Sequence, residues 1–184
     1  MPAQRRRPLS PCQSLDEIHA RLHDGAKTII INHHSDTALE LTDAELPDHL
    51  TIRIIGTSRV QINKTTPATK KSAQIVATDA SHVQIFDHTT LFAYGNATVD
   101  AFDNTRVRAS NRAAVNAVND TYIEAGDDTT IYAYDAATVH AHDNAAIYAT
   151  DRSTVFLNAR ATAEVEHGVA VHGPSRHNIR LRTN

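Results

Sequence analysis

An aliphatic residue returns every eight positions along more than half of this chain: Ile75, Val83, Leu91, Val99, Val107, Val115, Ile123, Ile131, Val139, Ile147, Val155, Ala163 and Val171. Two places after each stands a second small or apolar residue, from Ala77 and Ile85 to Leu157 and Val165. Two places later again comes a short turn-former such as Asp79, Asp103, Asn111, Asp127, Asp135, Asp143 or Asp151. The unit reads small–x–Val–x–Ala–x–Asp–x. Side chains two apart share one face of a strand, so the Val and Ala positions point inward together. Asp, Asn and Gly accept the left-handed backbone of a tight bend. Each octad is therefore expected to be a short strand plus a bend. A helix is excluded, because spacings of two and eight do not fit a period of 3.6. Units of this kind bury little alone and coil into a solenoid in which each touches only its neighbours.

The outward positions decide how many octads close one coil. Stacked coils lie roughly 4.8 Å apart and bring equivalent side chains into contact. A spacing of sixteen sets Tyr132 on Tyr148, Arg108 on Glu124 and Arg112 on Asp128, whereas a spacing of twenty-four sets Asp100 on Glu124. The first pairs aromatics and opposite charges; the second stacks two carboxylates. The expected fold is an all-β, single-stranded parallel β-helix with about sixteen residues per coil and two facing sheets.

The ends break the period and read as caps. Ser14-Leu15-Asp16-Glu17 carries a capping-box pattern, Leu15, Ile18 and Leu22 form one apolar stripe, and Gly25 ends the helix. Strands are expected over Thr28–Ile31, Thr37–Leu41, Leu50–Ile55 and Arg59–Ile62, followed by an exposed loop from Thr65 to Ser72. These strands lack the octad spacing, so the first coils should be wider. The organisation expected is a disordered basic N-terminus at 1–13, capping helix and irregular coils at 14–74, regular solenoid at 75–173, and a C-terminal cap or tail at 174–184. Residues 177–182 are expected to form a final strand that shields the last coil, with a partner-binding tail as the alternative.

Leu50-Thr51-Ile52-Arg53-Ile54-Ile55-Gly56, after a short helix, a glycine and a strand, resembles the entry of right-handed parallel β-helix proteins of pectate-lyase-like architecture. The octads at Ala97–Ala101 and Ala137–Ala141 are similar to the Ala-Thr-Val-x-Ala repeats of uncharacterised bacterial and phage β-helical proteins. The resemblance implies a right-handed β-helix and no particular activity.

Composition agrees with a thin core. Hydrophobic residues make up 41%, there are nine aromatics and no Trp, and much of the apolar content is alanine. The lone Cys12 cannot form an internal disulfide. No apolar stretch follows Arg5-Arg6-Arg7 and no window approaches a membrane span, so a cytoplasmic protein without membrane contact is expected. The net charge of −3 hides a gradient: residues 75–173 hold five Arg against thirteen Asp and Glu, a net of −8, between two mildly basic ends.

Four kinds of chemistry compete for this surface. His33, His34, His140, His142 and His172 draw attention to metal, but sixteen-residue coils place His140 and His172 two rungs apart with Phe156 between, too far for one ion. No metal or cofactor is expected. The Asp series is accounted for by bends, and no insertion between Ile75 and Leu157 builds the cleft that a carbohydrate-active enzyme needs. An ice-binding face would want a uniform Thr array. The Thr98, Ala114, Thr130, Ala146, Thr162 column is flanked instead by Asp100, Asn116, Tyr132, Tyr148 and Glu164. The fourth is macromolecular binding. Phe102, Tyr132, Tyr134 and Tyr148, with Asp100 and Glu164, form the expected binding face, and Glu124, Asp128, His140, His142 and Phe156 form a second. Outward aromatics rimmed by charge are what interfaces use, although stacking between coils would also place them there.

The expected function is non-enzymatic binding of a protein partner with a basic surface or groove, in the manner of an inhibitor that mimics nucleic acid. The acidic repeat disfavours direct DNA or RNA binding. A carbohydrate-active β-helix, an ice-binding rod, and self-assembly by end-to-end or side stacking are the alternatives.

Overall fold

The computed structural model describes residues 9–67, 69, 72–173 and 178–182. Among the described residues one α-helix, α1 (Leu15–His23), precedes eighteen short strands. The irregular coils supply β1 (Thr28–Ile31), β2 (Leu39–Leu41), β3 (Thr51–Ile54) and β4 (Arg59–Lys64). The regular part supplies β5 (Gln74–Ala77), β6 (His82–Asp87), β7 (Thr90–Ala93), β8 (Thr98–Ala101), β9 (Arg106–Ala109), β10 (Ala114–Ala117) and β11 (Tyr122–Ala125). It continues through β12 (Thr130–Ala133), β13 (Thr138–Ala141), β14 (Ala146–Ala149), β15 (Thr154–Leu157), β16 (Thr162–Val165), β17 (Ala170–His172) and β18 (Ile179–Leu181). Odd strands form one nine-stranded parallel sheet and even strands the other, so each coil is a two-strand rung. The chain is a right-handed parallel β-solenoid.

Register follows the sixteen-residue spacing throughout the repeats: Val115 pairs with Val99 and Ile131, and Ile123 with Val107 and Val139. The first coils are wider, as their sequence implies. Thr28 pairs with Thr51 and Thr51 with Gln74, a spacing of twenty-three. Part of the extra chain is a 3-10 turn, Asp43–Glu45, that the sequence reading missed. It carries its own capping box between Thr42 and Glu45.

Each strand from β6 to β16 buries the two expected residues and a third, whereas in β17 Val171, which the period places inward, is only partly buried. The third is the small residue just before the strand, where Ala97, Ala113, Ala137, Ala145 and Ala161 are 0% exposed, and Thr89, Thr105, Thr121, Thr129 and Ser153 at most 1%. Thr89 and Ser153 donate their hydroxyls to the carbonyls of Phe86 and Thr150, three residues back, at 2.8 and 2.7 Å. The hydroxyls of Thr105, Thr121 and Thr129 have no hydrogen-bond partner among the described residues.

The bends show why the octad ends in Asp or Asn. Asp79, Asp87, Asp103, Asn111, Asn119, Asp127, Asp135, Asp143 and Asp151 all have φ between 54° and 63°, the left-handed region these side chains tolerate best after glycine. Their side chains also reach the rung before. Asn111 N–H donates to Asp127 Oδ2 at 2.8 Å, Asp127 N–H to Asp143 Oδ2 at 3.4 Å, and Asp135 N–H to Asp151 Oδ2 at 3.3 Å. Ala159 adopts the same conformation at φ 55° with no side chain to reach back. Ala159→Asn should relieve strain and set an acceptor opposite the Asp143 N–H, a gain of about 1 kcal/mol. The urea midpoint should rise with an unchanged m-value.

Helix α1 closes the N-terminal end. Ser14 Oγ accepts from Glu17 N–H at 3.3 Å, while the Glu17 carboxylate accepts from Gln13 N–H at 2.7 Å, one residue before the cap expected from the sequence. Ile18 is fully buried over the core. The folded cap starts before Ser14: Cys12 bridges Ile31 as a parallel partner, its thiol 2% exposed and pushed up in pKa mainly by burial. Residues 1–8, the rest of the expected disordered end, lie outside the described residues. At the other end β18 pairs in parallel with β16, the final strand anticipated from the sequence, while residues 174–177 lie outside the described residues. No described helix is long and apolar enough to cross a membrane.

Candidate binding faces

Parallel register turns every outward position into a column along the rod. On the even sheet the central column runs Gln84, Asp100, Asn116, Tyr132, Tyr148, Glu164, Arg180. Beside it runs a short-side-chain column, Thr98, Ala114, Thr130, Ala146, Thr162. The Tyr132 and Tyr148 rings stack at 5.1 Å with 14° between their planes, and each residue is 37% exposed. Tall column against short column makes a step. At its C-terminal end it deepens into an open groove of about 390 Å³ lined by Ala146, Tyr148, Thr162, Glu164, Ile179 and Arg180 among others.

Phe102 and Tyr134 stand on the rim of this face, one residue past β8 and β12, next to the bend Asp103 and Asp135. Phe102 stacks on Phe86 at 4.9 Å, and Tyr134 is 38% exposed. The six residues expected on this face thus divide into a central column, holding Asp100, Tyr132, Tyr148 and Glu164, and a rim.

The acids distribute differently from the net charge. Within residues 75–173 only Asp100, Glu124 and Glu164 stand mid-strand on the sheet faces; Asp87 ends β6 at its bend, and the others lie at bends and their rims. Those three are already engaged. Glu164 lies 3.9 Å from Arg182, and Glu124 pairs with Arg108 as the spacing of sixteen predicts. Asp100 accepts from Asn116 Nδ2 at 2.6 Å, His82 Nε2 at 2.7 Å and Gln84 Nε2 at 3.4 Å. Burial works to raise the Asp100 pKa, but the bonds from Asn116, His82 and Gln84 outweigh it and hold the carboxyl below its ordinary value. The bend acids Asp143 and Asp151 are also lowered, chiefly by hydrogen bonds from His142 and Thr150. The even sheet is therefore an aromatic face with an acidic edge.

The odd sheet carries Phe92, Arg108, Glu124, His140, Phe156 and His172 in one column. His140 stacks on Phe156 at 4.4 Å and Phe156 on His172 at 4.8 Å, so the ring faces are turned to each other along the rod. Arg106 lies over Tyr122 at 5.1 Å and Arg108 over Phe92 at 5.9 Å, cation–π contacts that the sequence reading overlooked although the spacing of sixteen encodes both. Asp128 and His142, expected on this face, sit instead at the adjoining bend. Asp128 accepts from Asn144 Nδ2 at 3.0 Å, so a neutral amide on the following rung takes the carboxylate, and the expected ion pair with Arg112 is not among those of the described residues. His142 donates to Asp143 at 2.6 Å and folds over Gly126, where a Cβ would meet its ring. No group of three potential metal ligands converges among the described residues.

Fold and surface together define a two-sheeted parallel β-solenoid with one aromatic and one mixed cationic–aromatic wall. Comparison with protein-family models, with curated proteins and with solved structures finds no match.

Proposed function

We propose that this solenoid is a binding protein that engages a protein partner through the even sheet. The observation that carries the reading is the stacked Tyr132–Tyr148 pair. Both rings are more than one-third exposed while their positions are fixed by strand register. Rings held in place before binding lose little freedom on contact, and such aromatics dominate interface energetics. The acidic edge beside them, Asp103, Asp135 and Asp151, favours a basic partner and repels nucleic acid. The most concrete form is an inhibitor that lies in a basic nucleic-acid groove and presents carboxylates where phosphates would sit.

Affinity capture with wild-type protein and with Tyr132→Ala/Tyr148→Ala tests this. The double variant should keep its far-ultraviolet spectrum and bind the captured partner at least about thirtyfold more weakly, the loss of one strong hot spot. DNA added to the complex should release the partner if the groove is one that holds nucleic acid. Unchanged capture by the double variant would remove the aromatic face from the interface, and a glycan-array signal beside it would favour the carbohydrate reading.

A further inference from the structure

The wide first coils leave a cleft on the even sheet. It is lined by Asp36, Ala38, Arg59, Val60, His82 and Gln84 and encloses about 150 Å³. A neighbouring hollow of about 350 Å³ shares Asp36 and Arg59 with it and adds His34 on its open side.

The charges in this cleft do not neutralise each other. Arg59 Nη1 donates to the backbone carbonyl of Asp36 at 3.3 Å, and the guanidinium forms no ion pair with any carboxylate among the described residues. Asp36 is exposed and likewise unpaired. A cation and an anion that form no ion pair with each other thus share one small cleft, with the Arg59 side chain bonded to the loop backbone.

His82 adds an oriented acceptor. Its Nε2 lies 2.7 Å from Asp100 Oδ2, and a carboxylate only accepts, so whenever the ring is neutral its hydrogen sits on Nε2. Its Nδ1 then presents a lone pair, and no described group bonds to it. Asp100, with its oxygens taken by His82, Asn116 and Gln84, positions the ring and is spent in doing so.

A simple anion in this cleft would meet Asp36, and a simple cation would meet Arg59. A molecule with both charges a few bonds apart satisfies both. We propose that the cleft binds a free α-amino acid, its carboxylate on Arg59 and its ammonium on Asp36 and His82 Nδ1. The site is open to solvent, so affinity near about 1 mM is expected. It lies on other rungs than the tyrosine pair and does not depend on the binding role given to that pair.

The test is a titration of the full chain with each genetically encoded amino acid, followed by nuclear magnetic resonance of the His82 and Gln84 side chains. At least one amino acid should give saturable shifts there. Its N-acetyl and C-amide derivatives, each lacking one charge, should bind about tenfold more weakly or worse. Arg59→Ala and Asp36→Asn, both exposed positions whose folding is checked by circular dichroism, should lose the response. Absence of saturable shifts up to about 20 mM overturns the proposal. So does an N-acetyl derivative as tight as its parent, or a folded Arg59→Ala that binds as well as wild type.

Discussion

Ile123→Asp should collapse the middle of the rod. Ile123 is 0% exposed, pairs with Val107 and Val139 above and below, and faces a core whose nearby buried polar residues are the uncharged Thr105, Thr121 and Thr129. An ionised group there has neither water nor counter-ion, and protonating it removes only part of the cost. The expected loss is at least about 4 kcal/mol, in the range reserved for buried unpaired charge. A solenoid has no second core to share the damage, because each rung is held only by its neighbours. Hydrogen exchange should show protection lost first in β9, β11 and β13, and the urea transition should broaden or split as the two ends uncouple. A single sharp transition at the wild-type midpoint would mean that Ile123 is not the core residue the rung geometry makes it.

The sequence spoke most clearly where an outward residue met its own kind one coil later. Tyr132 with Tyr148 and Arg108 with Glu124 fixed the coil at sixteen, and the structure has both contacts. The bends were legible for a similar reason: few residues besides Asp, Asn and Gly tolerate a left-handed backbone, so their recurrence marks it. Ser14 marked the start of α1 because the side chains that cap a helix are few.

Other features left no such trace. Thr105 and Thr121 lie in the core, yet their type reads as surface; only their place just before the strand, where other rungs use Ala, gives them away. His82 and Asp100 are joined across a diagonal, eighteen residues apart, which a column argument at sixteen does not reach. The turn from Asp43 to Glu45 falls where the period has lapsed. Net charge, finally, has no direction. A count of −8 over the repeats could not tell that bend chemistry claims most of the acids and leaves the faces to aromatic and mixed columns. The proposed interface was therefore legible as a column of residues but not as a face with an acidic edge.

Excising Ala114–Thr129 should do less harm than the single change at Ile123. The cut removes one whole rung, β10 with β11, and brings residues thirty-two apart into register. Val99 then meets Ile131 and Val107 meets Val139, each an aliphatic on an aliphatic, and the Asn111 N–H meets Asp143 in place of Asp127. The Arg108–Glu124 pair and the Asn116–Asp100 bond are lost, both at least partly exposed to water. At about 0.1 kcal/mol per residue the rung contributes about 1–2 kcal/mol, and no new cavity or buried charge is made. The shortened chain should remain folded and monodisperse with a modestly lower urea midpoint, and it should keep the Tyr132–Tyr148 stack, since both residues lie beyond the cut. Excising Ala114–Ala117 alone should be far worse, because it sets one bend against another with too little chain to cross the sheet. If both deletions unfold alike, rungs are not interchangeable units, and the columns on which the binding face is built lose their basis.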